Sequence, residues 1–154
     1  MVALWYNSWL EMQETVIERL ARAVDYPEDV PAGALSYAFV VDDSTVFGEA
    51  KGGRVRLSRL LTDDAEKFPA LAQLAAGRML AEDAVLACGR RTVDGAPGTG
   101  AFLWQDAPAG ADSGELARLF ETFMASCDWW RERLAVEGDS LNESPGGESF
   151  VIRP

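Results

Sequence analysis

The sequence predicts an α+β fold: one domain in the order α-β-β-β-α-β-β-α, with an antiparallel twisted sheet packed by helices. Three observations predict it. Residues 112–137 carry Leu116, Leu119, Phe120, Phe123, Met124, Cys127, Trp130 and Leu134 at steps of three and four, the apolar stripe of a long helix. Short runs alternating apolar and polar residues fill 35–61 and 84–106, as strands do. Two further helical stretches stand before and between those runs. A stripe as wide as that of the closing helix must be buried, and the strands upstream are what it can pack on.

Taken in order, residues 8–24 predict the first helix, with Ser8 and Glu11 spaced as a capping box and Glu18 and Arg22 spaced to pair. Pro27, Pro31 and Gly33 end it. Strands follow at 35–41, 45–50 and 54–61, joined by Asp42-Asp43-Ser44 and by Lys51-Gly52-Gly53, which has hairpin chemistry. In the third strand Val55, Leu57 and Arg59 alternate with Arg54, Arg56 and Ser58, so one face is apolar and the other basic. Residues 62–67 form an acidic turn that can cap a second, alanine-rich helix over 68–81. In that helix Pro69 fits only the first turn, and Gly77 lets another backbone come close. Strands at 84–93 and 101–106 flank a Gly- and Pro-rich loop at 94–100. In the last strand Phe102 and Trp104 share a face while Leu103 points the other way. Asp112 or Ser113 caps the closing helix, and Gly138 offers a left-handed stop. Residues 1–138 thus form the domain and 139–154 a flexible tail.

Composition narrows the function. Fourteen basic against twenty-five acidic residues give a net charge of −11, which repels nucleic acid and anionic lipid, so neither is an expected partner. No apolar run reaches bilayer length and the start has no signal-peptide pattern, which predicts a cytoplasmic protein. Cys88 and Cys127 make no disulfide framework and predict two free thiols, both buried and inert. There is no histidine, which removes Ser-His and Cys-His catalysis and the commonest metal ligand. We therefore expect no enzyme and no cofactor or metal.

The apparent motifs agree. Residues 95–100 resemble a phosphate loop, but no Lys-Ser/Thr pair follows and a strand opens instead of a helix. The acidic groups at Asp42-Asp43 and Asp63-Asp64-Glu66 lack the spacing of a calcium loop and predict solvated turns. The aromatic excess says more: Trp5, Tyr6 and Trp9 crowd the N-terminal region, and Trp129 and Trp130 are adjacent on a helix. Such residues either fill a core or form an apolar patch for an extended or helical partner.

The order of elements, size and charge resemble the class I type III secretion chaperones, the Tir-chaperone (CesT-like) family. The resemblance runs from Ser8 to Glu137 and is strongest from Gly100 onward, through the last strand and a final helix ending near Trp130-Arg131-Glu132-Arg133-Leu134. Residues 150–154 also resemble the short apolar-Arg ending of several members. One departure stands in the second helix, where Ala76-Gly77-Arg78 occupies a region that often carries Asn in the family. The resemblance implies a homodimer without cofactor. Such a dimer binds the non-globular N-terminal segment of a secreted effector and keeps it soluble until export. By position it implies Trp5, Trp9, Met12, Val16, Phe102 and Trp104 as effector-facing residues. It implies Leu71, Leu74, Ala75 and Met79 as the dimer seam. The alternative on the same fold is a regulatory protein that sequesters another regulator.

Overall fold

The computed structural model describes residues 14–78, 84–93 and 96–143. Their elements are α1 (Val16–Ala23), β1 (Ser36–Val41), β2 (Ser44–Lys51), β3 (Arg54–Thr62), a 3-10 turn (Ala65–Lys67), α2 (Phe68–Arg78), β4 (Val85–Val93), β5 (Ala96–Pro108) and α3 (Ser113–Glu143). The strands make one antiparallel sheet in the order β1-β2-β3-β5-β4, so the chain is α+β.

Turn chemistry sets the hairpins. Asp42 and Asp43 join β1 to β2 with φ of 48° and 63°, and Gly52 and Gly53 join β2 to β3 with φ of 61° and 74°. Two successive left-handed residues match the twist of the flanking strands. Glycine takes that conformation freely and Asp tolerates it.

All three helices feed one core on one face of the sheet. Phe39, Val46, Val55, Leu57 and Leu103 meet Ile17 and Leu20 of α1, Leu71 and Ala75 of α2, and Leu116, Phe123 and Trp130 of α3. Gly48 lets α1 approach, because a Cβ there would stand 3.0 Å from Phe39 Cε2 and 3.4 Å from Ile17 Cδ1. Across the same interface the buried Gln105 donates through Nε2 to Thr122 Oγ1 at 2.9 Å, tying β5 to α3. Arg19 of α1 donates to the carbonyls of Ala109 and Ala111, which fixes the turn before α3.

Several boundaries differ from the sequence reading. The first helix does not run unbroken from residue 8: Glu14 and Thr15 are not helical, and Thr15 caps a new start at Val16. Thr15 Oγ1 accepts from Glu18 N and Glu18 Oε1 accepts from Thr15 N, a reciprocal box that satisfies two otherwise orphaned amides. The Ser8–Glu11 box lies outside the described residues. Glu18, expected to pair with Arg22, is held by this cap and by Gly33 N at 3.0 Å, and Arg22 pairs with Glu14 at 2.6 Å instead.

The loop expected at 94–100 is largely strand. Ala96–Gly100 ladder onto Gly89–Val93, with Pro97 opposite Thr92. Proline is tolerated because β3 stops pairing at Thr62 opposite Ala101, leaving that stretch of β5 with one unpaired side. Gly138 does not end α3, which continues to Glu143, so the tail expected from residue 139 begins as helix. Glycine permits a left-handed stop without compelling one, and inside a helix it costs only about 1 kcal/mol. Asp112 caps that helix through its own box with Glu115, at 2.9 and 3.2 Å.

Candidate sheet-face binding site

Period-two alternation gives the sheet a second face, and the register fixes what lies on it. Ala38, Phe47, Ser58, Trp104 and Val85 form one row across all five strands. Beside it, Leu60, Phe102 and Ala87 form a second row across β3, β5 and β4. None of these residues belongs to the core under the helices or packs against it. Among the described residues, then, helices line one face and a mainly apolar second face lies opposite.

That face grades from sealed to open. Phe102, between Leu60 and Ala87, is 3% exposed, Trp104 is half-buried, Leu60 is 37% exposed and Val40, on the same side of β1, 54%. On the other flank of Trp104 the face becomes charged. Ser36, Glu49, Arg56 and Asp106 form the next row, with Lys51 and Arg54 beyond. Arg54 and Arg56 reach the Asp106 carboxylate at 2.9 and 3.4 Å, and Arg56 lies over the Trp104 ring at 3.9 Å. The hydrogen bond from Arg54 holds the Asp106 carboxyl below its ordinary range. Glu49, Lys51, Gly52, Arg54, Arg56 and Asp106 line a hollow of about 320 Å³. An apolar strip beside paired arginines can hold an extended chain, with bulky side chains on the strip and polar ones over the charged rows.

The expected site residues scatter. Trp104 lies on this face and is accessible. Phe102 lies on it too, but buried, so it forms floor and not contact surface. Val16 is 6% exposed in the core beneath α1, which removes it from any partner surface: the Thr15 cap starts the helix at Val16 and turns that residue onto the sheet. Trp5, Trp9 and Met12 lie outside the described residues. Leu71 and Ala75, expected at a dimer seam, are 1% and 4% exposed and face the protein's own core. Leu74 is half-buried against that core, and Met79 lies outside the described residues. The outer side of α2 is instead Ala72, Gln73, Ala76 and Gly77, and a Cβ on Gly77 would meet nothing within 4 Å.

Sequence reasoning missed Arg56, Asp106 and Phe47. Their alternation was visible, but only the β3–β5 register brings Arg56 and Asp106 opposite one another. The thiols divide: Cys127 is buried and its pKa is pushed up to about 11 by desolvation, whereas Cys88, expected to be buried, is exposed. No metal-holding group of side chains occurs among the described residues, and no described helix is long and apolar enough to cross a membrane. The chain matches no protein-family model, and no curated protein matches it.

Proposed function

We propose that this chain is a non-catalytic binding protein that holds an extended, non-globular segment of another protein against the second face of its sheet. In this it acts as the class I type III secretion chaperones do for the N-terminal segment of a secreted effector. The observation that carries the reading is the second face of the sheet: an apolar strip ending at a half-buried Trp104, bordered by Arg56, Arg54 and Asp106. A partner that becomes ordered on binding buries roughly 1,000–3,000 Å² and loses part of the gain to its own ordering. The chaperone needs no nucleotide for this, because it only lowers the free energy of the unfolded segment in place.

The working form is a homodimer, supported by α2. Its outer side carries no charge over Ala72, Gln73, Ala76 and Gly77, in a chain in which 25% of residues are charged. Small residues let two backbones approach closely. Replacing Ala72 and Ala76 together by Glu should give a monomer in light scattering with an unchanged far-UV spectrum. A dimer that persists would remove α2 from the seam.

The partner site is tested with Trp104→Glu. The new carboxylate faces Arg56, so the fold should survive while the apolar strip is interrupted. Partners co-purified from the native host by the wild-type protein should be lost. Protection from limited proteolysis should map their bound region to a contiguous N-terminal stretch of a secreted protein. Binding that survives the substitution would move the site off this face. Protection mapped to a transcriptional regulator would favour the regulatory role in its place.

A further inference from the structure

On the second face of the sheet one residue is closed while its neighbours are open. Phe102 is 3% exposed, whereas Leu60 opposite it is 37% exposed and Trp104, two residues along β5, is half-buried. Neighbours within the sheet account for the sides of the ring. Leu60 and Ala87 flank it, and Leu60 Cδ1 and Phe102 Cε2 lie 2.5 and 3.4 Å from where a Cβ on Gly100 would stand, so both lean over that glycine. A ring lying over a glycine still turns one side outward. The described helices pack on the opposite face, which leaves the cover to a part of the chain beyond the described residues.

Two ends of the chain lie beyond them, and the fold favours the first. Val24 and Asp25, at the end of α1, lie by Val41 and Asp42, so α1 starts at the other end of the sheet. There Arg19 reaches the carbonyls of Ala109 and Ala111, and Ala109 N–H donates to Gly53 O at 2.9 Å. The thirteen residues before Glu14 therefore join the described chain at the end that carries Arg54, Arg56 and Asp106. Extended, they reach about 40 Å, and Phe102 lies only about 13 Å along β5 from Asp106. The new helix start at Thr15 frees them from continuing α1. By contrast, α3 carries the other end away. Arg131 meets Ser44 Oγ at the far end of the sheet, and the helix runs on to Glu143, about 18 Å further.

Composition matches the face in the same order. Residues 1–13 are mostly apolar, and Glu11 is their one charged side chain. Trp5 and Trp9, four apart, share a side whether the chain is extended or helical. Back from Glu14 the acid comes first and the tryptophans after it; along the face from Asp106 the arginines come first and the apolar strip after them. Arg54 and Arg56 share the Asp106 carboxylate and keep their side chains 50% and 38% exposed, open to a further acid.

We propose that residues 1–13 fold back over the second face, with Trp5 and Trp9 on Phe102 and Leu60 and with Glu11 beside Arg54 and Arg56. The chain then covers its own binding strip, and a partner binds by displacing the cover. Its apparent affinity is lowered by the fraction of molecules that are covered. Displacement rests on the reading of this face as the partner site; the contact itself does not.

The test traps the contact in the full-length protein as a disulfide, in a Cys88→Ser background. Asn7→Cys, between the two tryptophans, is combined with Leu60→Cys in one variant and with Ala87→Cys in another. A control combines Asn7→Cys with Ala125→Cys, an exposed position on α3 across the sheet. Cys127 is fully buried and stays out of the reaction. With a mild oxidant, the face variants should form an intrachain disulfide about tenfold or more faster than the control, because the cover raises the effective concentration of the two thiols. Adding Trp5→Glu/Trp9→Glu should bring that rate down to the control's. Equal rates in face and control variants, or a rate that Trp5→Glu/Trp9→Glu leaves unchanged, would overturn the assignment. So would a disulfide joining two chains, which would give the face to a second copy. The locked protein should also lose the host partners that its reduced form captures, and equal capture by both forms would overturn the displacement. Trapping needs no partner, so its failure leaves the Trp104→Glu test standing, and failure there leaves the trapped contact.

Discussion

The guanidinium of Arg56 lies over the Trp104 ring, its central carbon 3.9 Å from the ring centroid. Neighbouring strands supply the pair: Arg56 is opposite Asp106, two residues along β5 from Trp104, so one arginine bridges an aromatic ring and a carboxylate. Such a contact is worth about 0.5–1 kcal/mol at an exposed site. Its larger effect is to hold the ring in one orientation, so that the apolar strip ends at a fixed edge beside a charged row.

The capping box at Thr15 links pH to the stability of α1. Bonds from the Thr15 and Gly33 amides hold the Glu18 pKa below its ordinary value of 4.5. A depressed carboxylate stabilises the fold above the unfolded-state pKa, and that contribution is lost as pH falls through the lower folded-state value. Urea midpoints should therefore drop between about pH 5 and the folded pKa in the wild type. They should drop less in Glu18→Gln. Thr15→Ala should cost about 1 kcal/mol at pH 7.

Gly48 is a packing test. A methyl group there would stand 3.0 Å from Phe39 Cε2 and 3.4 Å from Ile17 Cδ1, both fully buried. Gly48→Ala should lower stability by about 1–3 kcal/mol in chemical denaturation with the m-value unchanged. A neutral result would mean that α1 can shift off the sheet.

Gln105 and Thr122 test the bond between β5 and α3. Thr122→Val leaves the buried Gln105 amide without its 2.9 Å acceptor and should cost about 1–3 kcal/mol. Adding Gln105→Leu should recover part of that loss, giving a double-mutant cycle that does not sum. Strict additivity would show that the bond contributes nothing.

The thiols should separate kinetically. Cys88 is exposed and should react with a disulfide reagent in the native protein at neutral pH. Cys127 is fully buried with its pKa raised to about 11, so it should react only on unfolding. Two fast native equivalents would show that α3 opens readily.

The sequence made legible what local chemistry governs. Gly52-Gly53 announced a hairpin and both residues adopt positive φ. The stripe from Leu116 to Trp130 announced a buried helix face, and all its members but the half-buried Met124 are buried. The alternation at Phe102-Leu103-Trp104 announced two faces, and Leu103 joins the core under the helices while its neighbours do not. Where two local signals competed, the reading failed. Thr15 and Glu18 have the spacing of a capping box, but the reading ran one helix through them, and the further contact of Glu18 with Gly33 N helps hold that box in place. Pro97 argued for a loop until the missing neighbour of β5 left it room in a strand.

The candidate site was half legible. Trp104 stood out by residue type alone. Its neighbours Phe47, Ser58 and Val85 come from other strands, and no spacing within the chain relates them. Two of the expected seam residues turned inward for a related reason. Apart from Gln73 and Arg78, α2 is apolar or small throughout, so its pattern could not say which side meets the core, and the fold put Leu71 and Ala75 inward.

By itself, the sequence determined the broad order of helix and strand, the hairpin turns at Asp42-Asp43 and Gly52-Gly53, and that histidine-dependent chemistry is absent. These follow from backbone preferences and periodicities that act over a few residues. Tertiary structure alone decided that β5 enters between β3 and β4, that all three described helices share one face, and that Arg56 meets Asp106 beside Trp104. Phe47, Leu60, Phe102 and Trp104 put large apolar side chains on the second face as well, so local pattern left the choice open. It was settled by the burial that three helices achieve together on one side, a quantity no single segment carries.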